Sequence, residues 1–164
     1  NGRFLRHLPR QVRVLHLMDL NPACLTMAAR LLRRRRLVLH AHPQDVLARW
    51  KDLADASVDS VDCVMVMHCL RGASIADKAA FFAEAHRVLR TGGVFFGTTI
   101  LAGGTGVRVN AFARLLMRIY NDRNNVFSNA GDTSDDLLAQ LQEHFPDVDF
   151  KVQGCTGTWV AVKR

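Results

Sequence analysis

Three residues stand where an apolar run gives way to polar chain, and each has chemistry to offer. Asp19 follows the run Val12 to Met18. Asp45 lies in Pro43-Gln44-Asp45-Val46, just beyond the run Leu37 to Ala41. His68 follows Ser60 to Met67. A carboxylate presents two oxygens that accept hydrogen bonds, and a neutral imidazole both donates and accepts. Each also has a plainer reading. Asp45 suits the N-cap of a helix. Asn21, directly before Pro22, already fills that role near Asp19, so Asp19 is surplus to capping. A lone histidine at a strand end is often structural. His86 sits on an apolar-faced helix and reads as a packing residue.

The elements that position these residues follow from periodicity. Residues 3 to 8 have helical spacing and stop at Pro9. Val12 to Met18 and Leu37 to Ala41 read as strands, separated by a helix from Pro22 through Leu32. Val46 to Leu53 reads as a short helix. Ser60 to Met67 is nearly continuous in apolar residues, as a strand buried on both faces of a parallel sheet would be. Residues 75 to 90 repeat apolar positions every three or four residues, and Thr91-Gly92-Gly93 is read as the helix stop. Val94 to Leu101 is the next strand. Val109 to Tyr120 reads as a helix with Phe112, Leu115, Leu116 and Ile119 on one side, and Asn121 to Gly131 as turn-rich. Thr133 to Phe145 is a helix capped by Thr133 or Ser134. Val148 to Val152 and Trp159 to Lys163 form a closing hairpin. The expected fold is α/β: a Rossmann-like open, mostly parallel sheet with a C-terminal antiparallel hairpin, in one domain over residues 1–164. Ligands of such sheets sit beyond the carboxyl ends of the strands. Asp19, Asp45, His68 and the loop after Leu101 are thereby placed in one region of interest.

Several of these segments together resemble class I S-adenosylmethionine-dependent methyltransferases. Asn1-Gly2-Arg3-Phe4-Leu5 resembles the tail of the family's G-x-G-x-G loop. Val14-Leu15-His16-Leu17-Met18-Asp19 resembles its second strand and terminal acid. Pro43-Gln44-Asp45-Val46 resembles its adenine-contacting turn. Glu84-Ala85-His86-Arg87-Val88-Leu89-Arg90-Thr91-Gly92-Gly93-Val94 resembles the R-V-L-x-P-G-G passage into the fifth strand, with Thr91 in place of the proline. The resemblance covers residues 1 to 101 and 133 to 164. It implies S-adenosyl-L-methionine as cofactor, with Gly2, Asp19, Leu20, Asp45, Val46 and Met67 as its binding residues. Asp19 would hold the ribose hydroxyls, Asp45 the adenine amino group, and Val46 would pack on the ring. His68 would be the catalytic or substrate-contacting residue. The sequence opens inside the glycine loop, and the preceding strand and first two glycines of the motif are absent from it. These residues alone are therefore expected to bind the cofactor poorly.

The implied reaction transfers a methyl group to an acceptor, with a small molecule favoured and carbon, oxygen and nitrogen acceptors all open. No Asn-Pro-Pro-Tyr-type sequence follows the fourth strand of the family order, which argues mildly against amino-group methylation of bases or glutamine. Residues 102 to 132 carry acceptor choice in such enzymes, and Arg114, Tyr120, Asn121 and Asn129 lie there. Two other readings stand beside this one: a scaffold or binding protein that kept the fold, and, less favoured, an NAD(P)-dependent oxidoreductase, which also places an acid after its second strand.

Composition sets outer bounds. The chain has 164 residues, 49% of them apolar, enough for a core without staples. The longest apolar stretch, Val94 to Ala102, falls far short of the roughly 20 residues of a membrane span. Cys24, Cys63, Cys69 and Cys155 form no C-x-x-C pair, so no metal site is expected and reduced thiols in a cytoplasmic setting are. The net charge is +7. Much of it lies in Arg33 to Arg36 and in Arg3, Arg6, Arg10 and Arg13. The run is read as a solvated helix end, with nucleic acid as a less favoured partner because no aromatic residues interleave.

Overall fold

The structure, a computed structural model, describes residues 2–122 and 126–164, so Asn1 and part of the expected turn-rich segment lie outside the described residues. The chain divides into two compact units, residues 1–48 and 49–164.

The first unit is a β-α-β passage behind a 3-10 turn, Arg3–His7. β1 (Val14–Met18) and β2 (Val38–His42) pair in parallel, with Val14 opposite Val38 and Met18 opposite His42. Parallel neighbours need a crossover, and α1 (Pro22–Leu32) supplies it. Its start is fixed by Asn21, whose side chain accepts the Ala23 N–H at 2.9 Å, and by Pro22 in the first turn. Leu25, Ala28 and Leu32 recur on one face and are its buried residues. The register sets His16 beside His40, and their rings stack at 4.7 Å.

The second unit holds a four-stranded sheet in the order β3-β4-β6-β5. β3 (Val58–Val64) pairs in parallel with β4 (Leu89–Ile100), and α2 (Ala79–Val88) makes the crossover. α3 (Ala111–Asp122) and α4 (Ser134–His144) follow. β5 (Asp147–Gln153) and β6 (Thr156–Val162) form the expected antiparallel hairpin, and β6 inserts antiparallel against β4. The core centres on Phe95 of β4, whose ring meets those of Phe81, Phe82, Phe145 and Trp159 at 5.5–6.0 Å. Leu137 and Leu141 of α4 are fully buried. Thr133 is the cap of α4, accepting the Asp136 N–H at 3.1 Å.

Two expectations are corrected. Residues 46–53 form turns, not a helix. In residues 49–53 the side chains of α2 take over the backbone groups a helix would have paired: Glu84 accepts the Trp50 N–H, and Arg87 donates to the carbonyls of Trp50 and Leu53. Gly92 and Gly93 do not end a helix. α2 stops at Val88, and both glycines lie inside β4 at an irregularity where the pairing steps from Val58–Leu89 to Ser60–Val94. Gly92 has φ +79° there, and a side chain on Gly93 would crowd the Arg90 carbonyl. α3 forms close to the expected span; none of its residues is buried, and Phe112 and Leu115 are 70% and 54% exposed.

Candidate functional site

Asp19 emerges from the carboxyl end of β1. Its Oδ1 accepts the Asn21 N–H at 2.8 Å, closing a turn that aims the side chain, while Oδ2 has no hydrogen bond among the described residues. The Asp19 N–H donates to the His42 carbonyl at 3.3 Å, and the Gln44 N–H donates to the same carbonyl at 2.9 Å. Gln44 also reaches back to the Met18 sulfur at 3.5 Å. The two strand-end turns are thus laced together, and Asp19 and Asp45 leave the same edge of the two-stranded sheet. Asp45 accepts the Leu47 N–H on Oδ1 at 2.9 Å, and its carbonyl accepts from Ala48, so it organises its own turn. Val46 beside it is half-buried, and Leu20 is 62% exposed.

Gly2 has φ +69°, and a Cβ there would lie 2.9 Å from Leu5 Cδ1 and 3.0 Å from Ala28 Cβ. Both the backbone angle and the close approach to α1 demand glycine. Its carbonyl accepts the Leu5 N–H at 2.9 Å, starting the 3-10 turn. Gly2, Asp19, Leu20, Asp45 and Val46 all belong to the first unit.

Met67 and His68 belong to the second. The Met67 side chain is fully buried and lies in the interior. His68 is 3% exposed. Its Nδ1 lies 3.3 Å from the Thr99 hydroxyl and 3.5 Å from the Ile100 N–H. A backbone N–H can only donate, so Nδ1 accepts and the proton sits on Nε2. The ring meets Phe127 edge-on at 4.6 Å, and the His68 carbonyl accepts the Ser128 N–H at 2.7 Å. Burial, then the Lys78 charge, pushes the imidazolium pKa down to about 4. At neutral pH His68 is uncharged and a weak base.

A cavity of about 490 Å³ opens in the same unit between the loop after β4 and α3, with Val107, Arg114, Met117, Asn121 and Asn129 among its lining residues. Three of the four positions singled out from the sequence, Arg114, Asn121 and Asn129, line it. Asn129 is held from both sides: its Nδ2 donates to the Ile100 carbonyl at 3.0 Å, and its Oδ1 accepts from Asn121 at 2.9 Å. Tyr120 packs on Phe127 instead, at 5.0 Å.

Sequence reasoning missed the ion pair that braces this wall. Lys78 is wholly buried, and its Nζ donates to both oxygens of Asp132, at 2.7 and 2.9 Å, and to the Ser128 carbonyl at 2.8 Å. Lys78 reads as one more polar residue ahead of α2, and no local pattern links it to a partner 54 positions away. Met65 was missed as well. It has φ +57° directly after β3, and its N–H donates to the Thr98 carbonyl at 2.8 Å. A non-glycine residue in that conformation is uncommon, and such residues concentrate at working sites.

Comparison with known proteins places the chain in a family. A family model described as a methyltransferase domain matches residues 1–97. The chain is 36% identical over 153 residues to the protein YbcY of Escherichia coli (strain K12), covering 93% of the chain and 76% of YbcY. It is 37% identical over 146 residues to demethylluteothin O-methyltransferase of Streptomyces thioluteus, covering 88% of the chain and 60% of that enzyme. A solved S-adenosylmethionine-dependent methyltransferase of Methanosarcina mazei superposes with a TM-score of 0.68 at 14% identity, over 99% of the chain and 87% of that structure. The chain belongs to the methyltransferase-domain family, with the Rossmann-like fold of the class I S-adenosylmethionine-dependent enzymes.

Proposed function

We propose that the protein carrying this chain moves a methyl group from S-adenosyl-L-methionine to a small-molecule acceptor. The observation that carries the reading is Asp19: a half-buried carboxylate at a parallel strand's carboxyl end, one oxygen fixed by Asn21 and the other uncommitted. That pair of acceptor oxygens fits a sugar diol, since Oδ2 and the remaining lone pair of Oδ1 on a preset side chain can each accept from one of two adjacent hydroxyls. Asp45 would meet the adenine amino group through its carboxylate or turn, Leu20 and Val46 would flank the ring, and the Gly2 turn would admit close backbone approach. Met67 lies in the second unit, and its side chain is interior. The bound cofactor supplies an activated methyl group, which leaves the protein the tasks of orientation and water exclusion.

On the acceptor side, the cavity beside α3 is of small-ligand size. Its polar groups, Arg114, Asn121 and Asn129, would orient the acceptor. His68 would serve as a positioning residue: its ring and carbonyl hold Phe127 and Ser128, next to Asn129. A neutral, weakly basic imidazole whose Nδ1 already accepts two hydrogen bonds is poorly suited to take a proton at pH 7. The named relative of Streptomyces thioluteus is an O-methyltransferase, and a hydroxyl acceptor is the class to test first.

Isothermal titration of the full protein with S-adenosylhomocysteine and with NAD tests the reading. Binding of S-adenosylhomocysteine alone supports it. Binding of NAD alone would make the protein an oxidoreductase, and binding of neither would make it a scaffold.

A further inference from the structure

The whole excess charge of the protein resides in its first unit. Residues 1–48 contain nine arginines and two carboxylates, Asp19 and Asp45, a net of +7 that equals the +7 of the entire chain. Residues 49–164 are balanced. The two carboxylates follow the carboxyl ends of β1 and β2. Five of the arginines, Arg10, Arg13, Arg34, Arg35 and Arg36, lie toward the amino ends, roughly 16 Å away along five-residue strands.

Those arginines frame a cavity. Arg10, Val12, Arg13, Arg34, Arg35 and Arg36 line a groove of about 460 Å³. Its floor is tied down. The Val38 N–H donates to the Arg13 carbonyl at 2.7 Å, and Arg35 spends its guanidinium on the Leu8 and Pro9 carbonyls at 2.8 and 2.6 Å. Arg35 thereby clamps the segment before β1 to the turn after α1. Arg10, Arg13, Arg34 and Arg36 are exposed, and none has an ion pair or side-chain hydrogen bond among the described residues. The carboxyl end of α1 offers about half an elementary negative charge, too little to balance four guanidinium groups. A cluster of unpaired like charges is self-repelling, and an anion in the groove relieves it.

We infer that this groove binds a small multivalent phosphate anion, a chain of two or three phosphates, at a site separate from the Asp19 edge. Guanidinium forks match phosphate oxygens two at a time. The groove has small-ligand dimensions. No aromatic residue lines it, so it has no platform for a base, and the phosphates themselves are what it recognises. Such a chain comes free, as inorganic oligophosphate, or attached to a nucleoside.

The test is titration of the full protein with inorganic tripolyphosphate, adenosine triphosphate, citrate and a 20-nucleotide RNA, at low and at physiological salt. Tripolyphosphate is expected to bind saturably and more weakly as salt rises. The nucleotide distinguishes the sources: affinity equal to tripolyphosphate points to the free chain, and tighter affinity to the nucleoside-linked one. Arg34→Ala with Arg36→Ala should weaken tripolyphosphate roughly tenfold or more. Arg34→Lys with Arg36→Lys, which keeps the charge and removes the forks, should fall between. Arg6→Ala, exposed and outside the groove, should bind as the parent does. The arginine Nε–H resonances of the unaltered protein should shift on titration, a readout that needs no variant. The inference is overturned if citrate binds as tightly as tripolyphosphate, if RNA binds while tripolyphosphate does not, or if the Ala variant, still folded by circular dichroism, retains full affinity.

Discussion

Asp19 donates its backbone N–H to the carbonyl of His42 at 3.3 Å, and this bond couples the exits of two parallel strands. Because Gln44 uses the same carbonyl, a shift in either turn is felt by the other. The side chain of Asp19 is aimed by Asn21, so its geometry is set before any ligand arrives.

Replacing Asp19 should therefore weaken the cofactor without unfolding the protein. Charge-assisted hydrogen bonds contribute about 1.5–3 kcal/mol. Asp19→Ala should lower S-adenosylhomocysteine affinity roughly ten- to a hundredfold. Asp19→Asn keeps an oxygen for the Asn21 N–H and loses the charge, so it should lie between. Calorimetry decides: equal affinity in all three proteins would remove Asp19 from the site.

Gly97 makes a different demand. It lies in β4 opposite Trp159 of β6, and a Cβ would run into the Trp159 indole and lie 2.6 Å from the Cys63 carbonyl. Both obstacles are rigid, one ring and one backbone. Gly97→Ala should destabilise the second unit by about 1–3 kcal/mol through overpacking. A urea midpoint matching the parent's would contradict the packing described for that face.

How much of this was legible beforehand depended on whether the signal was local. Asn21-Pro22 announced α1, and Thr133 with its acids announced α4, because caps are satisfied within a few residues. Asp19 was legible because a carboxylate after an apolar run had no capping duty left. The turns of 49–53 were not, since their backbone groups bond to Glu84 and Arg87 over 30 positions away. Gly92-Gly93 reads alike as a helix stop and as a strand irregularity, and only the pairing of β3 with β4 decides. Arg33 to Arg36 showed as a run, but the groove needs Arg10 and Arg13 folded beside it.

Lys78 and Asp132 illustrate the cost of an unmatched buried charge. Burial pushes the Asp132 carboxyl upward, and the Lys78 ammonium opposes this. Lys78→Met leaves the carboxylate alone and should cost about 3–5 kcal/mol, whereas Lys78→Met with Asp132→Leu should recover most of that loss. Chemical denaturation of the two variants and the parent measures the difference. A double variant no more stable than Lys78→Met would show that the pair itself, not the orphaned charge, carries the stability. Either loss should also loosen Ser128 and raise the acceptor KM.

His68 links this region to pH. Its imidazolium pKa is held at about 4 in the folded state, against about 6.5 for an unperturbed histidine. Above pH 6.5 both folded and unfolded states are neutral there, and no stability is at stake. As pH falls from 6.5 toward 4, the unfolded chain takes up a proton that the folded protein refuses, so stability declines across that window. The decline attributable to His68 should be on the order of 3 kcal/mol between pH 7 and pH 4. His68→Asn supplies an oxygen where Nδ1 accepts and has nothing to titrate, so its denaturation midpoint should fall less steeply over the same range. If His68 only positions the wall, the pH dependence of kcat between 6 and 8 should be the same in both proteins while KM rises in the variant. Parallel stability curves would remove the buried neutral imidazole, and a lost kcat limb near pH 6–7 would restore His68 as a base.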